Sequence, residues 1–160
     1  MINQYSVIQG EGDISALAAE SVVPGDSEDD VLSANIFITQ SFSMGGALGL
    51  SLGIPGAAGW HESGLSGVAL TGEHIGTSNG NSFTANILAH ELGHFLGLFH
   101  TTEMSGNTSS PLTDTGQCTN FQNPTNCSDW GNLMFPSADP NNTEVTDQQS
   151  FVIGVNPLTK

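Results

Sequence analysis

Apolar positions change their spacing along the chain, and the changes mark its elements. Between residues 83 and 96 they fall at Ala85, Leu88, Ala89, Leu92, Phe95 and Leu96, the pattern of a helix turning roughly 100° per residue with one side against a core. Gly97 ends that helix, since glycine enters the left-handed region without penalty. Asn79-Gly80-Asn81 makes a turn ahead of it, and Ser82 or Thr84 stands where a cap belongs. Upstream the apolar runs are short. Ala34 to Thr39 is apolar and β-branched over a strand's length, and Leu48, Leu50 and Leu52 alternate within the glycine-rich run 45–59. Ser66 to Thr71 is a third strand with two placements open: a sheet edge on which Val68, Ala69 and Leu70 pair with a substrate backbone, or an interior strand. Ile14 to Val23 carries Ala16, Leu17 and Ala18 and predicts a short helix before the Pro24-Gly25 turn. Residues 101–129 read as loop. Thr146-Asp147-Gln148-Gln149 is a capping box that opens a C-terminal helix burying Phe151, Val152 and Val155.

At 160 residues the chain reads as one domain able to bury a core without many cross-links. No stretch approaches the roughly 20 apolar residues of a membrane span. The start lacks the basic and hydrophobic regions of a signal peptide, which gives the expectation of a mature or trimmed chain. Charge is unusual: Asp and Glu total 16, Lys160 is the sole Lys or Arg, and the net charge is -15. Such a surface has nothing to neutralise phosphates, which argues against nucleic acid and anionic membranes as partners. Salt adaptation, cation binding and protection against cleavage beside Lys or Arg all remain consistent with it. The cluster Asp26, Glu28, Asp29, Asp30 reads as a solvated loop or as ligands for Ca2+. Cys118 and Cys127, close together in a turn-rich segment, favour a local disulfide and an oxidising compartment, with a reduced pair as the alternative.

Chemistry concentrates in His90-Glu91-Leu92-Gly93-His94-Phe95-Leu96-Gly97-Leu98-Phe99-His100. His90 and His94 sit one helical turn apart, the spacing that lets two imidazoles bind one ion. After the Gly97 turn His100 supplies a third nitrogen. Three neutral nitrogens with a fourth position left for water describe a catalytic Zn2+ site, whereas structural sites are closed by four protein ligands. Glu91 is then placed to take a proton from the activated water. His61, beside Trp60, and His74 are weaker candidates, reading as surface groups or as partners behind the ligands.

The string resembles the metzincin metallopeptidase signature, H-E-x-x-H-x-x-G-x-x-H. Outside it, the 34–39 strand, Leu48-Gly49, Ile54-Pro55-Gly56, Thr101, Asp114-Thr115, Cys118 and Cys127 occur in an order similar to the pappalysin-like branch, over roughly residues 34 to 153. Leu133-Met134-Phe135-Pro136 is also similar to matrixins, the alternative branch. The resemblance implies an α/β (α+β) fold: a twisted, mostly parallel sheet, the active-site helix, and an irregular lower subdomain ending in a C-terminal helix. It makes residues 1–100 an upper subdomain and 101–160 a lower one, and Met134 the methionine of a turn packed beneath the ligands. It further implies secretion, activation from a zymogen and, often, structural calcium. Two departures stand out. Few residues precede the first alignable strand, so the usual first strand and backing helix are expected to be shortened or missing. Pro136 occupies a place where several metzincins carry an oxyanion-stabilising tyrosine, and Tyr5, the single tyrosine, cannot be assigned that role.

These features predict a secreted zinc endopeptidase acting on protein or peptide substrates. An acidic pocket using Asp139, Glu144 or Asp147 would suit Lys or Arg beside the scissile bond. The readings against which it is set are a zinc-containing binding domain without catalysis and a fragment active only with another segment. Oligomeric state leaves no mark on the sequence.

Overall fold

Val68-Ala69-Leu70-Thr71, all four buried, forms the strand against which the upper half of the protein assembles. The structure, a computed structural model, describes residues 7–19, 32–58 and 64–160. In chain order the elements are β1 (Val7–Ile8), α1 (Glu11–Ala19), β2 (Ile36–Thr39), β3 (Ser41–Phe42), β4 (Gly49–Ser51), β5 (Val68–Thr71), α2 (Ser78–Phe95) and α3 (Asp147–Val155). Two 3-10 turns, Pro124–Asn126 and Pro157–Thr159, complete them among the described residues. The fold is mixed α/β, as expected. The Pro24-Gly25 turn, the acidic cluster Asp26, Glu28, Asp29 and Asp30, and Tyr5, Trp60 and His61 lie outside the described residues.

β5 is the centre of a three-stranded sheet in the order β2-β5-β4. It runs parallel to β2 in register Ile36 with Val68 to Thr39 with Thr71, and antiparallel to β4 with Leu50 opposite Ala69. This corrects the reading of Val68, Ala69 and Leu70 as a substrate-binding edge. Both edges of β5 are occupied and its side chains are buried, so no backbone groups remain to receive another strand. Parallel strands β1 and β3 form a separate pair. Alternation then sorts the faces. Ala69 and Phe37 join Ile8, Ile14, Ala18 and Leu52 in an apolar cluster on one side. α2 packs on β4 and β5. The segment before β2 thus supplies a two-residue strand and a nine-residue helix, α1, that starts earlier than the expected residue 14 because Glu11 and Asp13 suit a first turn.

α2 also starts early. Thr77 is its cap, accepting from Gly80 N–H at 3.1 Å, so Asn79-Gly80-Asn81 is the helix's first turn rather than a preceding loop, and neither Ser82 nor Thr84 caps it. Its buried face is also rotated from the expected apolar stripe. Thr84, Ile87, Glu91, His94 and Phe95 are buried, while Leu88, Ala89, Leu92 and Leu96 are half-buried and Ala85 is exposed. What turns inward is the face carrying the site, because Ile87 and Glu91 lie against the bare backbone of Gly49 on β4.

Beyond His100 the chain runs through loops, with isolated bridges joining Thr102 to Ser109 and Asn132 to Glu144. Cys118 and Cys127 form the expected disulfide. Polar contacts hold this half. The capping box at Thr146 and Gln149 is present in full. Asp114 accepts from the Thr146 hydroxyl and from Gln148 N–H, both at 2.9 Å, placing a carboxylate at the N-terminus of α3. Phe151 and Val155 of α3, expected to be buried, are 71% and 49% exposed, and the helix instead buries Gln149. Gln149 and Asn132 exchange two side-chain hydrogen bonds of 2.8 and 3.0 Å in the interior, so amide pairing does the work expected of an apolar stripe. Replacing Gln149 with Leu should cost about 1–3 kcal/mol by leaving the Asn132 amide unpaired. Chemical denaturation checks this, and unchanged stability would show that α3 is held otherwise.

Candidate active site

α2 projects His90 and His94 from consecutive turns, with ring centroids 4.8 Å apart. The end of the helix then brings in His100. Phe95 is the last helical residue and Leu96 its C-cap, Gly97 adopts φ +109°, Gly97 N–H bonds the His94 carbonyl and Leu98 N–H bonds that of Gly93, both at 2.9 Å. This double closure needs a left-handed residue at its second position, which Gly97 provides. The reversal aims the Leu98 carbonyl back at the His94 ring and carries His100 to the open side of the two helical histidines.

The Nε2 of His100 lies 3.1 Å from the Nε2 of His90 and 3.1 Å from that of His94. On the far side, His90 Nδ1 meets the Leu133 carbonyl at 2.7 Å, His94 Nδ1 the Leu98 carbonyl at 2.7 Å, and His100 Nδ1 a Glu103 carboxylate oxygen at 3.1 Å. Carbonyls and carboxylates only accept, so each Nδ1 carries a proton, and a ring in its neutral form presents its lone pair at Nε2. Burial reinforces this by disfavouring imidazolium: it lowers the pKa of His90 to about 4 and that of His94 to about 3. Three lone pairs facing one another have no proton to share, whereas a cation among them satisfies all three. Nitrogens bound tetrahedrally at about 2.0–2.1 Å stand about 3.3 Å apart, close to the separations here. The donor set therefore fits a zinc ion.

Beneath the cluster, Met134 is fully buried with its sulfur so close to Gly93 that a Cβ there would come within 2.5 Å of it. Its carbonyl accepts from Thr101 N–H at 3.0 Å, directly after His100, while the carbonyl before it holds His90. One turn thus positions residues on both sides of the cluster. Glu91 occupies the neighbouring wall, 8% exposed, bonded by the backbone N–H of Ser51. Burial raises its carboxyl pKa from 4.5 to about 7, which suits a group that accepts and releases a proton near neutrality.

These groups line a cleft of about 660 Å³, bounded above by residues 45–51, beside His100 by Phe99, Glu103 and Met104, and below by residues 136–138. The expected acidic pocket is not part of it. Asp139 accepts from Asn141, Glu144 lies over Gly131, and Asp147 sits in the first turn of α3. His74 packs edge-on against Phe83, with centroids 5.1 Å apart, and is outside the histidine cluster. Glu103, three residues after His100, carries the one side-chain acceptor among the ring partners. The other two are backbone carbonyls, which no residue type announces.

The Glu91 shift carries a sign. Between pH 4.5 and about 7 the folded chain keeps a proton that the unfolded chain has released, so this group makes stability fall as pH rises through that window. The metal-free Glu91→Gln protein should therefore exceed the metal-free parent in stability above about pH 8, by on the order of 2–3 kcal/mol, with the gap closing towards about pH 4. Denaturation curves at both extremes check this. A gap independent of pH would show that the carboxyl ionises freely.

The family model for metallo-peptidase family M12 matches residues 5–146. A search of curated proteins gives no match. With the model spanning most of the chain and the histidine cluster inside it, the chain belongs to metallo-peptidase family M12 and is a metzincin-type zinc metallopeptidase.

Proposed function

We propose that the chain is a zinc-dependent endopeptidase in which His90, His94 and His100 hold the metal and Glu91 is the general base. The observation that carries the reading is the convergence of three histidine Nε2 atoms, that of His100 3.1 Å from each of the other two, in the same cleft as the buried Glu91 carboxyl. Bound zinc supplies Lewis acidity, lowering the pKa of water towards about 7 and polarising a carbonyl.

The chain's own residues do the rest. β4 pairs with β5 along one edge and, among the described residues, leaves its other edge open along the cleft, where an extended substrate backbone can add as a further strand. This gives β4 the role that β5 cannot fill. Glu91 takes a proton at a carboxylate oxygen as water attacks the peptide carbonyl carbon. When the carbon–nitrogen bond breaks, the same oxygen delivers the proton to the departing amine. The Leu133-Met134 turn keeps His90 and the backbone at Thr101, next to His100, in place while this happens. Pro136, Ser137 and Ala138 line the lower wall.

In this reading residues 1–100 and 101–160 are the upper and lower halves of one catalytic domain, and protein or peptide chains are the substrates. The Cys118–Cys127 disulfide supports an extracellular setting, and no helix among the described residues is long and apolar enough to cross a membrane. The finer placement in the pappalysin-like branch rests on the order of short motifs from Ala34 to Cys127, with matrixin-like enzymes as the alternative. Calcium has no ligand set assigned to it.

Replacing Glu91 with Ala should leave one zinc per chain and reduce peptide hydrolysis on the order of a hundred- to ten-thousand-fold. Hydrolysis at the parental rate in that variant would overturn the mechanism, and survival of activity in a chelator would overturn the metal's part in it. Glu103→Ala, which frees the His100 ring, should weaken zinc binding roughly 10–100-fold by competition titration. An unchanged affinity would show that the carboxylate does not orient the ring.

A further inference from the structure

Of its nine residues α3 buries one, Gln149, and it leaves Phe151 and Val155 in solvent. Apolar burial therefore does not explain where the helix lies. The side it turns inward carries Gln149, half-buried Val152 and the C-cap Asn156, at the i, i+3 and i+7 spacing that aligns residues on one face. Each of them meets a support of the histidine cluster. Gln149 Nε2–H donates to Asn132 Oδ1 at 3.0 Å, and its Oε1 accepts from Asn132 Nδ2 at 2.8 Å. The same Asn132 oxygen accepts from Met134 N–H at 2.9 Å, holding the turn whose Leu133 carbonyl accepts from His90 Nδ1 at 2.7 Å. Val152 stands over Gly97, where a Cβ would come 3.5 Å from its Cγ1.

Asn156, 9% exposed, donates from Nδ2 to the Leu96 carbonyl at 3.2 Å while its Oδ1 accepts from Leu158 N–H at 3.0 Å. Leu96 closes α2, so its carbonyl has no partner within that helix, and Asn156 supplies one. The bond falls beside the Gly97 reversal, whose Leu98 carbonyl accepts from His94 Nδ1 at 2.7 Å. An amide serves at both ends because it donates and accepts at once, which neither an aliphatic side chain nor a carboxylate does. We infer that Gln149 and Asn156 are positioning residues for the metal site, α3 bracing the Leu133 carbonyl at one end and the Gly97 reversal at the other. His90 and His94 are thereby oriented separately, by side chains that line no part of the cleft. The inference rests on the three histidines being metal ligands and goes beyond it.

The test compares the parent with Gln149→Leu, Asn156→Ala and Ile14→Ala. Ile14, fully buried in the cluster with Ile8 and Ala69, lines no part of the cleft and controls for lost stability alone. Three readouts are taken: zinc affinity by competition titration, the visible bands of the Co2+-loaded protein, and the imidazole N–H signals of the metal-free protein by NMR. Gln149→Leu should move the His90 Nδ1–H signal and leave that of His94, and Asn156→Ala should do the reverse. Each should weaken zinc binding about 10-fold, the lower end of what loss of a ligand's supporting partner costs, and alter the Co2+ bands. Ile14→Ala should keep the parental affinity, bands and signals.

Folded Gln149→Leu and Asn156→Ala proteins with parental affinity and ring signals overturn the inference, as does an equal loss in Ile14→Ala. If Gln149→Leu does not fold, Asn156→Ala decides through the His94 signal and the affinity. If the parent binds no zinc, the metal reading fails separately and the metal-free protein decides. Selective movement of the two ring signals there upholds the brace, and its absence ends it.

Discussion

Three imidazoles bring unprotonated nitrogens to one point only if each keeps its proton on the opposite side, and that demands three acceptors at fixed places. Much of this structure supplies them. The Leu133 carbonyl comes from the turn that buries Met134, the Leu98 carbonyl from the reversal at Gly97, and the Glu103 carboxylate from the loop that follows His100. Each acceptor depends on a further constraint. The Leu133-Met134 turn is fixed by Asn132, whose side-chain oxygen accepts from Met134 N–H at 2.9 Å and whose amide pairs with Gln149 of α3. The C-terminal helix, none of whose residues lines the cleft, is thus linked to His90 through two hydrogen-bonded neighbours.

Close approach of backbone is the second requirement. Gly93 lets the Met134 sulfur reach α2, and Gly49 lets Glu91 and Ile87 reach β4, so helix, sheet and turn meet with a single layer of side chains between them. The resulting dry environment acts in opposite senses on the two kinds of group it holds. It raises the Glu91 carboxyl to about 7 and lowers His90 and His94 to about 4 and 3, because in each case the neutral form is favoured.

What was legible in the sequence is what side chains announce. The helix with its histidines, the Gly97 turn, the three longer strands, the capping box and the cysteine pair follow from residue type and spacing. Hydropathy alone points to the wrong face of α2, because Leu88 and Leu92 are more hydrophobic than the Thr84, Glu91 and His94 that are buried in their place. At a functional site, burial follows the chemistry rather than the hydropathy. For the same reason α3 was expected to bury Phe151 and Val155, when its anchor is an amide pair between residues 17 positions apart. The placement of β5 between two strands depended on long-range pairing with β2 and β4, which no local pattern encodes. Two of the three ring acceptors are backbone carbonyls and leave no trace in the sequence.

The polar character of the lower half links metal binding to order. Between His100 and Thr146 the chain is held by a disulfide, the Asn132 amide pair with Gln149 and the capping carboxylate of Asp114, with Met134 and Phe135 among its few fully buried apolar side chains. A segment so built gains little from apolar burial, yet it carries two of the three acceptors that set the histidine tautomers. A cation placed at the three Nε2 atoms would be bound by neutral rings, two of which the Leu133 carbonyl and the Glu103 carboxylate hold in orientation. The free energy of filling the site is therefore shared with the free energy of ordering the lower half, so the loops after His100 act as part of the metal site although they supply no ligand beyond it.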